Sequence, residues 1–232
     1  MYDLQNATSI EQRMVEINSF IDFWYGPHQQ EFEMSDLDPR LPLPLKLFYQ
    51  RNGRRPYLLE PEGESDFFYE GGSGHHLFRS EYLKFSGDRL NFFMEYQGDW
   101  NGFTLVDEDD PPVWLSGSLP TDASFGDDVE EERQLQQTLS EFLVTHVLLT
   151  SIYESSNAAI SQYKRAVPEL AGKFHRARSK KKLIWDASVL AKPYCPHYAG
   201  KIYLCWESVL VHETETGSLI FAANDRDNKY FQ

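Results

Sequence analysis

Residues 90–96 read Leu90-Asn91-Phe92-Phe93-Met94-Glu95-Tyr96, and residues 103–106 read Phe103-Thr104-Leu105-Val106. Short aromatic and apolar runs of this kind, bounded by turn residues, indicate β-strands. Similar runs lie at residues 67–69, 76–78 and 82–85, with glycine-containing turns at residues 71–74, 86–88 and 98–99. Because the runs are short and closely spaced, the segment from residue 57 to 115 is predicted to form an antiparallel meander.

Two helices are predicted before this meander. Thr8 or Ser9 begins the first, with Glu11 and Gln12 at the capping-box spacing, and Gly26-Pro27 ends it. Its apolar face recurs every three or four residues at Ile10, Met14, Ile17, Ile21 and Trp24. A shorter helix is predicted from Pro44 to Asn52, because proline is tolerated in a first turn, and Gly53 is expected to end it in a left-handed conformation.

A third helix is predicted over residues 129–150. Its stripe consists of Leu135, Leu139, Phe142, Leu143, Val147 and Thr150. Acidic residues at positions 127–132 precede or begin it, where negative charge complements a helix dipole.

The remainder of the chain again contains strand-like runs, at residues 183–185, 202–206 and 218–221. The sequence therefore predicts an α+β fold, with an antiparallel or mixed central sheet flanked by helices and a strand-rich C-terminal extension. Residues 1–153 are expected to form the main domain. Residues 154–232, a basic segment followed by strands, are expected to pack on that domain.

The overall charge limits the partners. The chain has 36 acidic and 22 basic residues and a formal net charge of −14, which disfavours nucleic acid because phosphates are repelled. No apolar run reaches the length of a membrane span, and the first residues do not resemble a signal peptide. With only Cys195 and Cys205, no disulfide framework is implied, so a cytoplasmic location is predicted.

Carboxylates are concentrated between residues 107 and 132, where ten occur before the first base, Arg133. A calcium site is disfavoured because the Asp-x-Asp-x-Asp-Gly pattern is absent and Pro111-Pro112 follows the first four acids. Carboxylate pairs for glycoside hydrolysis carry little weight in so acidic a chain. A solvated or partner-facing surface is the favoured interpretation.

A basic stretch has the opposite sign. Between residues 164 and 182 eight lysines and arginines occur with one acid, Glu169. Such a run can contact nucleic acid, but neutralisation of the protein's own acidic face is favoured because the whole chain repels phosphate.

Catalytic and metal motifs are weak. Cys195, His197, Cys205 and His212 lack the close cysteine pair of structural zinc sites, and His75-His76 follow a glycine-rich turn without a nucleophile-elbow pattern. No cofactor, metal or catalytic residue is predicted, and the chain is not expected to be an enzyme. A hydrolase with an unrecognised carboxylate or histidine site remains the alternative.

Three segments, taken in order, resemble the SUKH superfamily of Smi/Knr-like domains. They are Leu41-Pro42-Leu43-Pro44-Leu45-Lys46-Leu47-Phe48-Tyr49-Gln50-Arg51-Asn52-Gly53, Phe92-Phe93-Met94-Glu95-Tyr96-Gln97-Gly98-Asp99-Trp100 and Asp109-Asp110-Pro111-Pro112-Val113-Trp114. The resemblance covers about residues 9–150. It implies an α+β fold and, in bacteria, an immunity protein that neutralises a cognate toxin, often a nuclease. A regulatory scaffold domain of Smi/Knr type is the second implication.

A non-catalytic protein-binding module with a basic toxin as its partner is accordingly the leading prediction. Carboxylates meet arginine and lysine at interfaces, and tryptophan anchors them. The predicted partner-binding residues are Asp107, Glu108, Asp109, Asp110, Asp122, Asp127, Asp128, Glu131 and Trp100. Core packing is the competing interpretation for Trp100.

Overall fold

A computed structural model describes residues 2–28, 30–53, 75–95, 100–118, 130–153, 172–175, 181–188, 199–215 and 217–223. The first helix, α1 (Ile10–Tyr25), begins as predicted. The Ser9 hydroxyl accepts a hydrogen bond from the Gln12 backbone N–H, and the Gln12 side chain accepts one from the Thr8 N–H. Gly26 ends the helix at φ 92°. This local hydrogen bonding confirms the predicted boundaries.

The second helix, α2 (Leu43–Asn52), has Pro42 at its N-cap and Pro44 in its first turn. Gly53 follows it with φ −60°, so the expected left-handed conformation is wrong. Glycine is needed there for space, because a Cβ atom on Gly53 would lie 2.6 Å from the Phe32 ring and from the Tyr49 carbonyl oxygen.

Six strands form the larger sheet. They are β1 (His75–Leu77), β2 (Lys84–Ser86), β3 (Arg89–Glu95), β4 (Trp100–Leu105), β5 (Pro112–Ser118) and β6 (Glu130–Thr138). The order is β1-β3-β4-β5-β6, β2 also pairs with β3, and every pair is antiparallel. The predicted antiparallel meander is confirmed here, while the run at residues 67–69 lies outside the described residues.

Strand β6 replaces the first part of the predicted third helix. Residues 132–138 alternate, with Leu135 and Gln137 buried and Gln134 and Gln136 exposed, which is a period of two. The backbone pairs with β5 from Ser118 to Pro112. The helix prediction over residues 129–138 is therefore wrong, because pairing with β5 outweighs the helical preference of glutamate and glutamine.

The third helix, α3 (Leu139–Tyr153), follows β6 directly and is buried along nearly its whole length. The backbone N–H of Thr138 donates to the Glu141 carboxylate at 3.2 Å. The predicted role of the acidic residues at this helix end is not realised for residues 130–132, since Glu130–Thr138 is a strand; residues 127–129 lie outside the described residues.

Four strands form the second sheet. They are β7 (Lys181–Asp186), β8 (Gly200–Cys205), β9 (Val209–Thr214) and β10 (Leu219–Ala223). The order is β10-β9-β8-β7, all antiparallel. The strand-rich C-terminal part is confirmed, so the α+β class is as predicted. Strand β9 was not predicted, although Val209-Leu210-Val211 is an apolar, β-branched run.

Helix α3 lies where the two sheets and the N-terminal helices meet. Its Ser151 hydroxyl is 3.0 Å from the Tyr25 hydroxyl of α1, and the Trp185 indole N–H of β7 donates to Thr145 at 2.7 Å. One hydrophobic cluster includes residues from α1, α2, α3 and both sheets. A smaller cluster around Phe174 and Cys205 covers the other face of the second sheet. No helix in the described ranges is long and apolar enough to cross a membrane.

Candidate functional site

The first four predicted acids lie in the turn between β4 and β5. Asp107, Glu108 and Asp109 are exposed, and Asp110 is half-buried. None of the three exposed carboxylates has an ion pair or hydrogen bond within the described part of the chain. Their charges are therefore available at the surface.

Asp110 has an internal role, so its assignment to the partner-binding set needs correction. Its carboxylate accepts the Ser140 backbone N–H at 2.8 Å and the Ser140 hydroxyl at 2.6 Å. Arg13 of α1 lies 3.7 Å from the same carboxylate. With 16% of the side chain exposed, Asp110 caps α3 and joins it to α1, because the first N–H groups of a helix lack partners within the helix.

Backbone hydrogen bonds hold this turn at both ends. The Val106 N–H donates to the Asp88 carbonyl oxygen at 2.9 Å, and the Leu139 N–H donates to the Pro111 carbonyl oxygen at 2.8 Å. Asp88 itself is exposed in the β2–β3 turn and has no ion pair among the described residues. We name Asp88, Asp107, Glu108 and Asp109 the acidic corner.

Trp100 lies in the core, which corrects its prediction as a partner anchor. Its side chain is 4% exposed, and its ring lies 5.8 Å from that of Phe93. It pairs across the sheet with Gly117, on the face that carries Leu115 and Leu135 toward the helices. The competing interpretation, core packing, holds for this tryptophan.

The remaining predicted acids are Asp122, Asp127, Asp128 and Glu131. Asp122, Asp127 and Asp128 lie outside the described residues. Glu131 lies in β6 opposite Gly117.

A groove of about 680 Å³ lies on the outer face of the six-stranded sheet, next to Asp88 of the acidic corner. Its lining residues are Phe78, Tyr82, Lys84, Ser86, Arg89, Asn91, Met94 and Asn101. Arg89 is the first residue of β3 and follows Asp88 of the corner directly. Sequence reasoning did not identify this groove, because its residues come from β2, β3, β4 and the segment between β1 and β2.

Arg89 is fixed by contacts on two sides. Its guanidinium lies 3.5 Å from the centre of the Phe103 ring and 2.6 Å from the Glu132 carboxylate of β6. Phe103 in turn stacks on Trp114, with ring centres 6.1 Å apart. This stack crosses β3, β4 and β5 and gives the outer face a rigid centre.

The zinc interpretation fails for the pair that is described. Cys205 pairs with Val209 and His212 pairs with Ile202, so their side chains point to opposite faces of the sheet. Burial raises the pKa of Cys205 to about 12 and lowers that of His212 to about 4. Cys195 and His197 lie outside the described residues, and no group of three metal-ligating side chains occurs among the residues described.

His76, which was weighed as a catalytic residue, and two lysines of the basic stretch contact other parts of this chain or are buried in it. His76 is 8% exposed in β1, and burial lowers its pKa. Lys182 donates to the Tyr2 carbonyl oxygen at 2.8 Å and lies 3.6 Å from Asp3, while Lys181 lies over the Phe174 ring. These two lysines of the basic stretch contact the protein's own N-terminal segment and second sheet.

Comparison of the chain with protein-family models, with curated proteins and with solved structures finds no match in any of the three.

Proposed function

We propose that this chain is a non-catalytic, cytoplasmic protein-binding module: an immunity protein that neutralises a cognate bacterial toxin with a basic domain. The acidic corner is the proposed contact surface. The observation that carries the proposal is that Asp107, Glu108 and Asp109 are exposed and unpaired on a turn fixed at both ends.

Electrostatics supports a basic partner. Exposed carboxylates on a chain of net charge −14 attract a positively charged protein and accelerate its association. Because the turn is held by backbone hydrogen bonds and by Asp110, its backbone loses little conformational freedom on binding. The geometry therefore favours binding over solubility as the use of these charges.

The SUKH resemblance supplies the toxin part of the proposal. Its third segment, residues 109–114, leads from the acidic corner into β5. Toxin nucleases bind phosphates through lysine and arginine. Carboxylates that cover those side chains would block the substrate by occlusion, with one inhibitor per toxin.

Affinity capture followed by a growth assay tests the proposal. The bait is the wild-type chain or a corner variant that carries Asp107→Asn, Glu108→Gln and Asp109→Asn. A matched control carries Glu33→Gln, Asp36→Asn and Glu207→Gln, three exposed acids elsewhere on the chain. Lysate of the encoding organism is the source of partner.

We expect the wild type and the control to capture a basic protein that arrests growth when expressed alone. Co-expression of either should restore growth, and the corner variant should restore it poorly. Capture of a non-toxic partner would favour the regulatory scaffold. Equal protection by the corner variant would contradict the role of the corner.

A further inference from the structure

The groove beside the acidic corner has an unusual wall. Strands β1 and β2 both pair with the same edge of β3, the first at Glu95 to Phe93 and the second at Asn91 to Arg89. The chain leaves this edge at residue 78 and returns at residue 84, with a short 3-10 helix at Ser80–Tyr82 between. Tyr82 on this wall is 41% exposed.

The described lining of the groove contains cationic side chains, although the chain as a whole has a net charge of −14. Among the described residues that line it, Lys84 and Arg89 are charged and none is acidic. Arg89 is paired with Glu132, whereas Lys84 is exposed and makes no ion pair or hydrogen bond within the described ranges. An ammonium group in this position attracts a negative group from outside the chain.

The floor of the groove also offers polar groups. The Asn101 amide and the Ser86 hydroxyl make no hydrogen bond to any described residue. Met94 and Phe78 beside them are half-buried and present apolar surface. Unused amide and hydroxyl groups beside apolar patches suit a peptide, whose backbone has donors and acceptors between its side chains.

We propose that this groove binds an extended acidic peptide segment of the partner protein. A carboxylate of the segment pairs with the Lys84 ammonium, its backbone bonds to Asn101, and an apolar side chain packs on Met94 and Phe78. One exposed ammonium group beside amide and apolar groups fits a peptide with spaced carboxylates better than the continuous phosphates of nucleic acid.

This inference deepens the proposed function and rests on it for the identity of the partner. The partner would therefore carry both positive and negative charge, with basic side chains opposite the acidic corner and an acidic segment opposite the groove. Such an alternation fixes the orientation of the complex, since a reversed arrangement places like charges together.

A peptide probe tests the groove without the natural partner. Fluorescein-labelled peptides that alternate valine with glutamate, glutamine or lysine are titrated with the full chain, and fluorescence anisotropy is measured. We expect the glutamate peptide to bind about fivefold more tightly than the glutamine peptide. Lys84→Gln should remove that difference, and Asn101→Asp should weaken the glutamate peptide further.

The control is Lys201→Gln, because Lys201 is an exposed strand lysine on the second sheet; it should bind as the wild type does. The acidic corner variant should bind the glutamate peptide at least as well as the wild type. Equal effects of Lys84→Gln and Lys201→Gln would overturn the proposal, as would equal binding of the lysine peptide or of oligothymidylate. These results leave the growth assay unaffected, so the two proposals fail separately.

Discussion

His212 is fully buried in the second sheet, and its surroundings give it a role in stability. Its Nδ1 lies 3.0 Å from the Tyr153 hydroxyl at the end of α3, and its Nε2 has no hydrogen-bond partner among the described residues. Burial lowers its pKa to about 4. The neutral imidazole therefore belongs to the folded state, and protonation opposes folding.

Acidification should destabilise the protein through His212. The unfolded chain binds the proton near the ordinary pKa of about 6.5, so the free energy of unfolding is constant above that pH and falls between pH 6.5 and about 4. The full loss is roughly 3 kcal/mol. His212→Gln should reduce the slope of stability against pH, measured by urea unfolding at a series of pH values. An unchanged slope in His212→Gln would refute this assignment.

The His212 ring packs against Gly200, where a larger residue would not fit. A Cβ atom on Gly200 would lie 2.8 Å from the His212 Nε2 and 2.2 Å from the Glu213 carbonyl oxygen, at φ +155°. We expect Gly200→Ala to lower the free energy of unfolding by about 3 kcal/mol. Gly217→Ala is the control, because Gly217 also has a positive φ but its Cβ would meet no atom; about 1 kcal/mol is expected. Equal losses in chemical unfolding would show that packing at Gly200 is not responsible.

At the scale of elements, the capping of α3 distinguishes Asp110 from its neighbours in the same acidic turn. Asp110→Ala removes two hydrogen bonds to Ser140, and we expect a loss of about 2 kcal/mol in thermal or urea unfolding. Asp109→Ala removes an exposed charge without a partner and should cost less than about 0.5 kcal/mol. If both variants are equally stable, Asp110 does not cap the helix.

Local sequence patterns were sufficient to predict some of the helices and strands. The α1 boundaries follow from Ser9, Gln12 and Gly26, and β3 and β4 follow from their aromatic runs, because the deciding interactions lie within a few residues. Strand β6 was missed because its glutamates and glutamines favour a helix until β5 supplies a pairing edge. Strand β9 was missed because its turn uses Trp206 and Glu207 at positive φ, and neither residue type signals such a turn.

The candidate site likewise has a part that the sequence could predict and a part that depends on tertiary structure. Residues 107–109 were predictable as exposed, since carboxylates without a partner are rarely buried, whereas the capping role of Asp110 depends on α3 and could not be predicted. Asp88 joins the acidic corner only through the pairing of β3 with β4, and the groove requires three strands to be assembled. Trp100 was misassigned because composition does not show which face of a strand points inward.

At the scale of the whole molecule, one hydrophobic core contains residues from both predicted parts of the chain, residues 1–153 and residues 154–232. Helix α3 contacts both sheets, and residues of one hydrophobic cluster come from either side of that division. The six-stranded sheet therefore has its helices on one face, and its outer face carries the groove beside the acidic corner. The acidic corner and the groove adjoin at the β2–β3 turn, since Ser86 and Arg89 line the groove and Asp88 lies between them.

The affinity of the captured partner for the purified chain tests the central claim most directly. We predict that the dissociation constant rises about tenfold or more in the variant with Asp107→Asn, Glu108→Gln and Asp109→Asn. The dependence of affinity on salt should also weaken, because fewer charges are screened. The control with Glu33→Gln, Asp36→Asn and Glu207→Gln should keep the wild-type values. An unchanged dissociation constant and salt dependence in the corner variant would contradict the assignment of the acidic corner as the partner-binding surface.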